Sequence, residues 1–394
     1  MHLLNTNVIQ ISPFGRNDKY WVSEFSRIGH PWLSTEKLCG SQYNKQYHKM
    51  LKIGIVGLGF MGKMHFRCYK SHKNVEVVAI CDADAKQLKD TSGVKGNISG
   101  AEEDLDLSNI SLYSDLTQML AEEKLDAVSI ASPTFLHASQ TIESLNAGLH
   151  VFCEKPMALN SEDCGKMIVA AKQSGKILQI GHCIRFWPEY VQAKEIIDSQ
   201  QYGKVLAASF QRLSLTPTWS WDNCFLDGKR SGGAMLDLHI HDTDFVQYVF
   251  GMPNSVFSRG VVGPSQDFDH CVTQYLYDEK ESKHYSSVIT AEGGWIMAPE
   301  FGFEMSFKIM LEKATLIYSS AQEPTFRIYP QDSEMITPEI AEGDGYSFEI
   351  KYFIEHISGK SVSVILTPEQ SCDSVKIIEA EKESILTREK ISIN

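Results

Sequence analysis

The chain has 394 residues, 43% of them hydrophobic and 22% charged, a composition that suits a soluble globular protein of two domains. Asp and Glu outnumber Lys and Arg by 50 to 37, and the formal charge of −13 argues against nucleic acid or an anionic membrane as the main partner. No apolar run has the length of a membrane span. The nine cysteines are scattered without a C-x-x-C pair, which reads as buried thiols in a reduced, cytoplasmic protein.

Residues 1–49 are polar, with Trp21, Trp32, Pro13 and Pro31 and no clear periodicity. They read as an N-terminal extension, either a poorly ordered arm or a stretch upstream of a natural start at Met50. From residue 51 the pattern alternates strand and helix. Lys52-Ile-Gly-Ile-Val-Gly-Leu-Gly-Phe-Met-Gly62 places a short apolar strand before G-x-G-x-x-G, and Met64, His65, Phe66 and Tyr69 then open a helix. At this spacing Gly57 permits a tight turn and Gly59 lets a pyrophosphate approach the backbone. Gly62 lets helix pack close to strand. The loop Gly57, Gly59, Phe60, Met61, Gly62 is therefore the candidate phosphate cradle, with the positive end of the helix behind it.

Residues 75–82 form a second apolar strand ending in Asp82, twenty residues after Gly62. A carboxylate there can accept both hydroxyls of an adenosine ribose and repels a 2′-phosphate, so NAD is favoured over NADP. Asp84 is a rival two positions on. Further strands are expected near 110–113 and at 126–132, 150–154 and 177–181. Helices are expected at about 60–72, 115–124, 135–148 and 161–174. Residues 92–109 read as a solvated surface insertion carrying Glu102, Glu103, Asp104 and Asp106. Continuous apolar strands alternating with helices mean a doubly wound parallel α/β sheet of Rossmann type over residues 50–182.

After Gly181 the pattern changes. A helix from Pro188 to about Ser199 precedes strands at 204–213, 255–262, 270–277, 284–292, 302–311 and 314–319, with a turn signal at Asp278-Glu-Lys-Glu. Two helices close the chain, one at about 345–358 and one after Thr367-Pro368-Glu369. Residues 183–394 therefore read as an α+β domain with an open, mainly antiparallel sheet.

Three motifs sit at strand ends, where an open α/β sheet binds ligands. They are Ser132-Pro133 with His137, Cys153-Glu154-Lys155-Pro156, and Gly181-His-Cys-Ile-Arg185-Phe-Trp187. Ser132, Pro133, His137, Glu154 and Lys155 are candidate cofactor contacts. Lys155 is also a candidate for proton transfer to or from a substrate hydroxyl; the alternative is a surface lysine packed along the sheet edge. In Gly232-Gly-Ala-Met-Leu-Asp237-Leu-His-Ile-His241-Asp-Thr-Asp244, Asp237 and His241 stand at i and i+4 of a helix. A shared face would let the carboxylate orient the imidazole as a general base. Metal binding by His239-x-His241 is the minority alternative, because the two side chains diverge on a helix; no metal is expected.

Together these segments resemble the Gfo/Idh/MocA family of NAD(P)-dependent oxidoreductases, over residues 51–394. Gly57-Leu-Gly-Phe-Met-Gly-Lys-Met-His65 is similar to its dinucleotide fingerprint. Glu154-Lys155-Pro156 is similar to its E-K-P motif, where the bond before proline is commonly cis. Gly232-Gly233 through Asp237 and His241 is similar to its G-G-x-x-x-D-x-x-x-H segment. His239 departs from the glycine of many members. The resemblance implies that Lys155, Asp237 and His241 handle the proton, with His241 the base. Arg185, Trp187 and Trp219 are candidates for gripping a substrate, although Arg185 could instead pair at the domain junction. The expectation is an NAD-dependent dehydrogenase acting on a sugar, an inositol-like cyclitol or another small polyol, assembled as a homodimer or homotetramer. Two rival readings are a glycosidase that uses NAD for transient oxidation and a non-catalytic dinucleotide sensor.

Overall fold

The computed structural model describes residues 50–92, 104–278, 282–284 and 286–393. The expected extension at 1–49, most of the expected insertion at 92–109 and the turn after Asp278 lie outside the described residues.

The first sheet has six parallel strands: β1 (Leu51–Val56), β2 (Val75–Cys81), β3 (Ser111–Tyr113), β4 (Ala127–Ile130), β5 (His150–Glu154) and β6 (Leu178–Gly181). Their order is β3-β2-β1-β4-β5-β6. This is a doubly wound dinucleotide-binding order, with the crevice where the order reverses between β1 and β4. All four residues of β4 and all four of β6 are buried, which explains why these strands read as continuous apolar runs. The helices between them are α1 (Phe60–Lys70), α2 (Ala85–Lys89), α3 (Leu116–Glu122), α4 (Thr134–Asn146) and α5 (Ser161–Ser174). Helix α2 has no buried residue and so left no apolar signal in the sequence.

Next come α6 (Pro188–Ser199), β7 (Val205–Leu215), α7 (Gly228–Ser231), a π-type turn at Met235–His239 and α8 (Ile240–Phe250). Six further strands follow: β8 (Ser255–Val262), β9 (Phe268–Leu276), β10 (Val288–Met297), β11 (Phe303–Leu311), β12 (Ala314–Ser319) and β13 (Phe326–Pro330). The chain ends in α9 (Gly345–Ile357), α10 (Pro368–Thr387) and a short β14 (Ile391–Ser392). The second sheet runs β13-β12-β11-β7-β10-β9-β8-β14. It is antiparallel except for β7 beside β10, which is parallel over residues 207–215 and 288–297. Strands β13 and β14 add to those expected. The capping box at Thr367 and Gln370 starts α10 as its sequence signals.

The inner face of the second sheet is strongly aromatic. Tyr190 meets Phe245, Phe307 and Tyr318 at ring-centroid distances of 4.8, 5.0 and 5.4 Å. The closing helices return to the first sheet: Phe353 of α9 packs edge-on against Phe152 of β5 at 5.7 Å, and Ser161 at the start of α5 is held by Glu379 of α10. These contacts join the two sheets and fix the cleft between them.

Candidate active site

At the carboxyl ends of β1, β2, β4 and β5, and facing the inner side of β7, lies a cleft of about 690 Å³. That volume is within the range of pockets that hold small ligands and cofactors.

One end of the cleft is built by the glycine turn. Gly57 has φ +91°, and a Cβ there would lie 2.7 Å from the Ala131 carbonyl oxygen. At Gly62 a Cβ would fall 1.9 Å from the oxygen of Gly57, so α1 can sit on the turn only without a side chain. Gly59 faces open space and caps α1 with no side-chain hydrogen bond. The first N–H groups of α1 thus remain available to an anion. Phe60 and Met61 line the cleft beside it. This chain therefore has the bare helix start and side-chain-free approach that a pyrophosphate requires.

Asp82 and Asp84 separate clearly. Asp82 lines the cleft, and its Oδ2 accepts from Leu58 N and its Oδ1 from Asp84 N, both at 2.8 Å. It pins the glycine turn to β2 while each oxygen keeps a lone pair for a ribose hydroxyl. Asp84 caps α2 and accepts from Trp221 Nε1 at 3.1 Å. Ser132, Pro133 and His137 line the next wall. The buried His137 lies between two carbonyls, those of Pro156 and Ser132, each 2.8 Å from a ring nitrogen.

Glu154 is buried behind the cleft floor. Its carboxylate meets His65 Nε2 at 2.8 Å, and His65 Nδ1 meets Ser129 Oγ at 3.0 Å. Burial pushes the Glu154 pKa up, but the His65 hydrogen bond and the nearby positive charges outweigh it and hold the group ionised. The next peptide bond, Lys155–Pro156, is cis. Lys155 turns into the cleft and meets Asp237: its Nζ donates to the Asp237 carbonyl at 2.6 Å and to Oδ1 at 3.1 Å.

The structure alters the expected Asp237–His241 pairing. A π-type turn spans Met235–His239, with Ile240 N bonded to Met235 O, five residues back. The hydrogen-bond partner of the Asp237 carboxylate is Lys155. His241 lines the same cleft, but its Nδ1 has no hydrogen-bond partner among the described residues. Burial, then the charges of Lys155 and Arg212, push its pKa well below the usual histidine value, so the imidazole is neutral. His239 does not line the cleft; it lies instead with Cys271 and Glu381.

Arg185 is a second correction. It is 1% exposed and absent from the cleft wall. Its Nε and Nη2 form a fork with Asp244 at 2.8 Å each, and Nη1 donates to Ile365 O and Gln370 Oε1. With these groups committed, the guanidinium is a junction pair and not a substrate clamp. Trp187 and Trp219 do line the cleft. So does Arg212 of β7, which was not expected; its fork holds Asp242 at 3.0 and 3.2 Å. Its signal was the period-two alternation of β7, which puts Phe210, Arg212 and Ser214 on one buried face.

Sheet order, glycine turn and the cleft at the strand ends define a dinucleotide-binding α/β fold in which that one cleft also reaches Lys155, Asp237 and His241. Comparison with known proteins gives the family. Residues 51–182 match the model of the oxidoreductase family, NAD-binding Rossmann fold, and residues 190–317 match that of the GFO/IDH/MocA C-terminal domain. The chain therefore belongs, by both of its domains, to the Gfo/Idh/MocA oxidoreductases, and its first domain is a NAD-binding Rossmann domain.

Among its relatives is a 2,7-anhydro-N-acetylneuraminate hydratase of Mediterraneibacter gnavus, 32% identical over 54% of this chain and 53% of that protein. The chain thus spans about half the length of this relative. A D-glucoside 3-dehydrogenase of Escherichia coli is 25% identical over 80% of this chain and 90% of that protein. In structure, the chain is similar to a myo-inositol 2-dehydrogenase from Lactobacillus plantarum. The TM-score is 0.70 at 24% identity, over 88% of this chain and 100% of that one.

Proposed function

We propose that this protein is an NAD-dependent oxidoreductase that moves a hydride between a carbinol carbon of a sugar, cyclitol or related polyol and nicotinamide C4. The observation that carries this reading is the meeting of Lys155, Asp237 and His241 in one cleft beside the glycine turn. The bound dinucleotide would supply the hydride acceptor. Gly57, Gly59 and Gly62 would leave room for its phosphates, Asp82 would hold its ribose, and Ser132, Pro133, His137 and Glu154 would flank it.

The Lys155 ammonium, anchored by Asp237, would donate to the reacting oxygen. A neutral His241 would take the hydroxyl proton through the ring nitrogen that faces the cleft. Trp187 and Trp219 would pack against the carbon skeleton. Holding donor carbon and acceptor in line is the chief work left to the fold. The chain is further read as three parts, with a terminal extension at 1–49, the NAD domain at 50–182 and the substrate domain at 183–394.

The test is growth of the reduced-nicotinamide absorbance with NAD and a panel of inositols, aldoses and sugar acids. Growth with one stereochemical set, lost in Lys155→Ala and His241→Ala, is expected. Unchanged turnover in both variants would overturn the assignment.

A second reading, transient oxidation by retained NAD during cleavage of a glycoside, draws on the Trp221–Asp84 bond, which straps the segment after β7 to the rim of the NAD domain. It expects a released sugar with no net NADH.

Assembly as a homodimer or homotetramer is supported by the apolar side chains exposed on the second sheet, among them Leu206, Val272, Val288, Ile296 and Met310. Sedimentation velocity tests this. No helix among the described residues is long and apolar enough to cross a membrane. The eight described cysteines are all free, which supports a reducing, cytoplasmic location.

A further inference from the structure

Outside the cleft, beside the turn that carries Asp237 and leads into α8 with His241, three chemically reactive side chains converge. They are His239 from the π-type turn, Cys271 from β9 and Glu381 from α10. All three have zero exposure, and one donor atom from each lies within 4.8 Å of the other two. His239 Nε2 is 3.2 Å from Glu381 Oε2, yet that oxygen has no hydrogen-bond partner among the described residues, and neither has His239 Nδ1. Glu381 Oε2, unpartnered and 3.2 Å from Nε2, is the atom that points to a shared neighbour; the unpartnered Nδ1 lies on the Gly293 side of the ring. In a tetrahedral zinc site with bonds of about 2.1 Å the ligand–ligand edge is roughly 3.4 Å.

We propose that His239, Cys271 and Glu381 form a buried metal site selective for zinc-like divalent ions, outside the catalytic cleft. The donor set fits that choice: thiolate and imidazole favour zinc over magnesium or calcium. Charge fits as well. Thiolate and carboxylate cancel the charge of a divalent cation, and the imidazole adds none. Binding forms metal–sulfur, metal–nitrogen and metal–oxygen bonds, and the Cys271 thiol proton, with any second imidazole proton, leaves to solvent.

A fourth oxygen is at hand in Tyr275, whose hydroxyl lies 3.5 Å from His239 Nε2 and 2.9 Å from Thr243 Oγ1. Thr243 in turn donates to Glu381 Oε1 at 3.3 Å, a bond that would hold the carboxylate in place with its other oxygen toward the metal. Gly293 of β10 pairs directly with Cys271, and a Cβ there would sit 2.7 Å from His239 Nδ1. The imidazole fits only because this position is glycine. Such a site would tie the turn bearing Asp237, and with it the start of α8 bearing His241, to β9 and α10, and so position both cleft residues without touching substrate.

The experiment is metal analysis of the full chain, purified without a metal column, beside chain produced in zinc-depleted, cobalt-supplemented medium. About one zinc per chain is expected. The cobalt form should show a thiolate-to-cobalt charge-transfer band and the visible bands of tetrahedral cobalt. Cys271→Ser should lose the charge-transfer band and at least tenfold of the metal. Cys271→Val, an apolar replacement for the buried thiol, guards against misfolding of the serine variant and should do the same while retaining NAD binding. Sub-stoichiometric metal in the wild-type chain with no charge-transfer band in the cobalt form would overturn the proposal, leaving a buried His239–Glu381 ion pair. A band that persists in both Cys271 variants would overturn it equally, because the sulfur ligand would lie elsewhere.

Discussion

Lys155 Nζ donates to both the main-chain oxygen and the carboxylate of Asp237, at 2.6 and 3.1 Å, across 82 residues of sequence. Both side chains are only partly exposed, at 14% and 16%, so the charge pair is shielded yet open to the cleft. If this ammonium polarises the reacting oxygen, Lys155→Ala should lower kcat by about 10²–10⁴. NAD affinity should fall far less than kcat, since Lys155 is one cofactor contact among several and the phosphate cradle lies elsewhere. Lys155→Arg should recover only part of the loss, because a planar fork cannot place its charge where a point ammonium sits. Steady-state kinetics on the best panel substrate, with NAD binding measured by fluorescence, checks both.

Asp82 has two tasks, and a substitution should reveal both. Its oxygens hold Leu58 N and Asp84 N, and the same carboxylate faces the cleft where ribose hydroxyls would lie. Asp82→Ala should weaken NAD about tenfold to a hundredfold, the loss expected for one or two hydrogen bonds to a charged acceptor. It should also shift the NAD/NADP affinity ratio toward NADP by removing the repulsive charge. Titration calorimetry with each dinucleotide tests this. Unchanged selectivity would show that Asp82 serves the glycine turn alone.

The parallel strands were legible because burial on both faces removes polar residues from them, and the glycine turn because two of its glycines have no room for a Cβ. The antiparallel bias of the second sheet followed from strands without helices between them; the parallel β7–β10 pair did not, since no local pattern records which distant strand lies alongside. Lys155, Asp237 and His241 were each visible as chemistry-bearing positions, but not as this arrangement. The π-type turn that carries Asp237 has no sequence signature. Arg185 stands at the carboxyl end of β6, a position that suits a ligand, and only the packing of α8 and α10 around it shows that Asp244 and Gln370 consume its donors.

The Arg185–Asp244 fork gives a prediction separable from chemistry. Both side chains are fully buried, and Ser374 Oγ adds a bond to Asp244 at 2.9 Å. Truncating one partner leaves the other charge buried and unpaired. Asp244→Ala should therefore destabilise the protein by about 3–5 kcal/mol. The folded fraction should keep its KM for substrate, because neither residue lines the cleft. Urea unfolding alongside kinetics on the folded protein separates the two effects, and a rise in KM without loss of stability would return Arg185 to the substrate site.

His182 should make stability depend on pH. It is 1% exposed, neither ring nitrogen has a hydrogen-bond partner among the described residues, and its Nδ1 lies 3.5 Å from Asp244 Oδ2. Burial is the main cause that lowers its pKa to about 4, with Arg185 and Lys155 adding to it and Asp244 and Glu154 opposing. The unfolded chain would titrate this histidine near 6.5. Above that value the ring is neutral in both states, and it contributes no pH dependence. As pH falls from about 6.5 toward 4, the unfolded state binds the proton and the folded state does not, so stability is lost at up to about 1.4 kcal/mol per pH unit. Glu154 and Asp244, both held below the usual carboxylate range, lose stability in the same direction but at lower pH. His182→Gln removes the titration and keeps a polar side chain, so its unfolding free energy should fall less steeply between pH 6.5 and 5. Urea titrations of both proteins at several pH values give the difference directly. Parallel curves would mean that His182 titrates alike in the folded and unfolded chain, and that the low-pH loss belongs to the other buried histidines, His241, His137 and His284, and to the carboxylates.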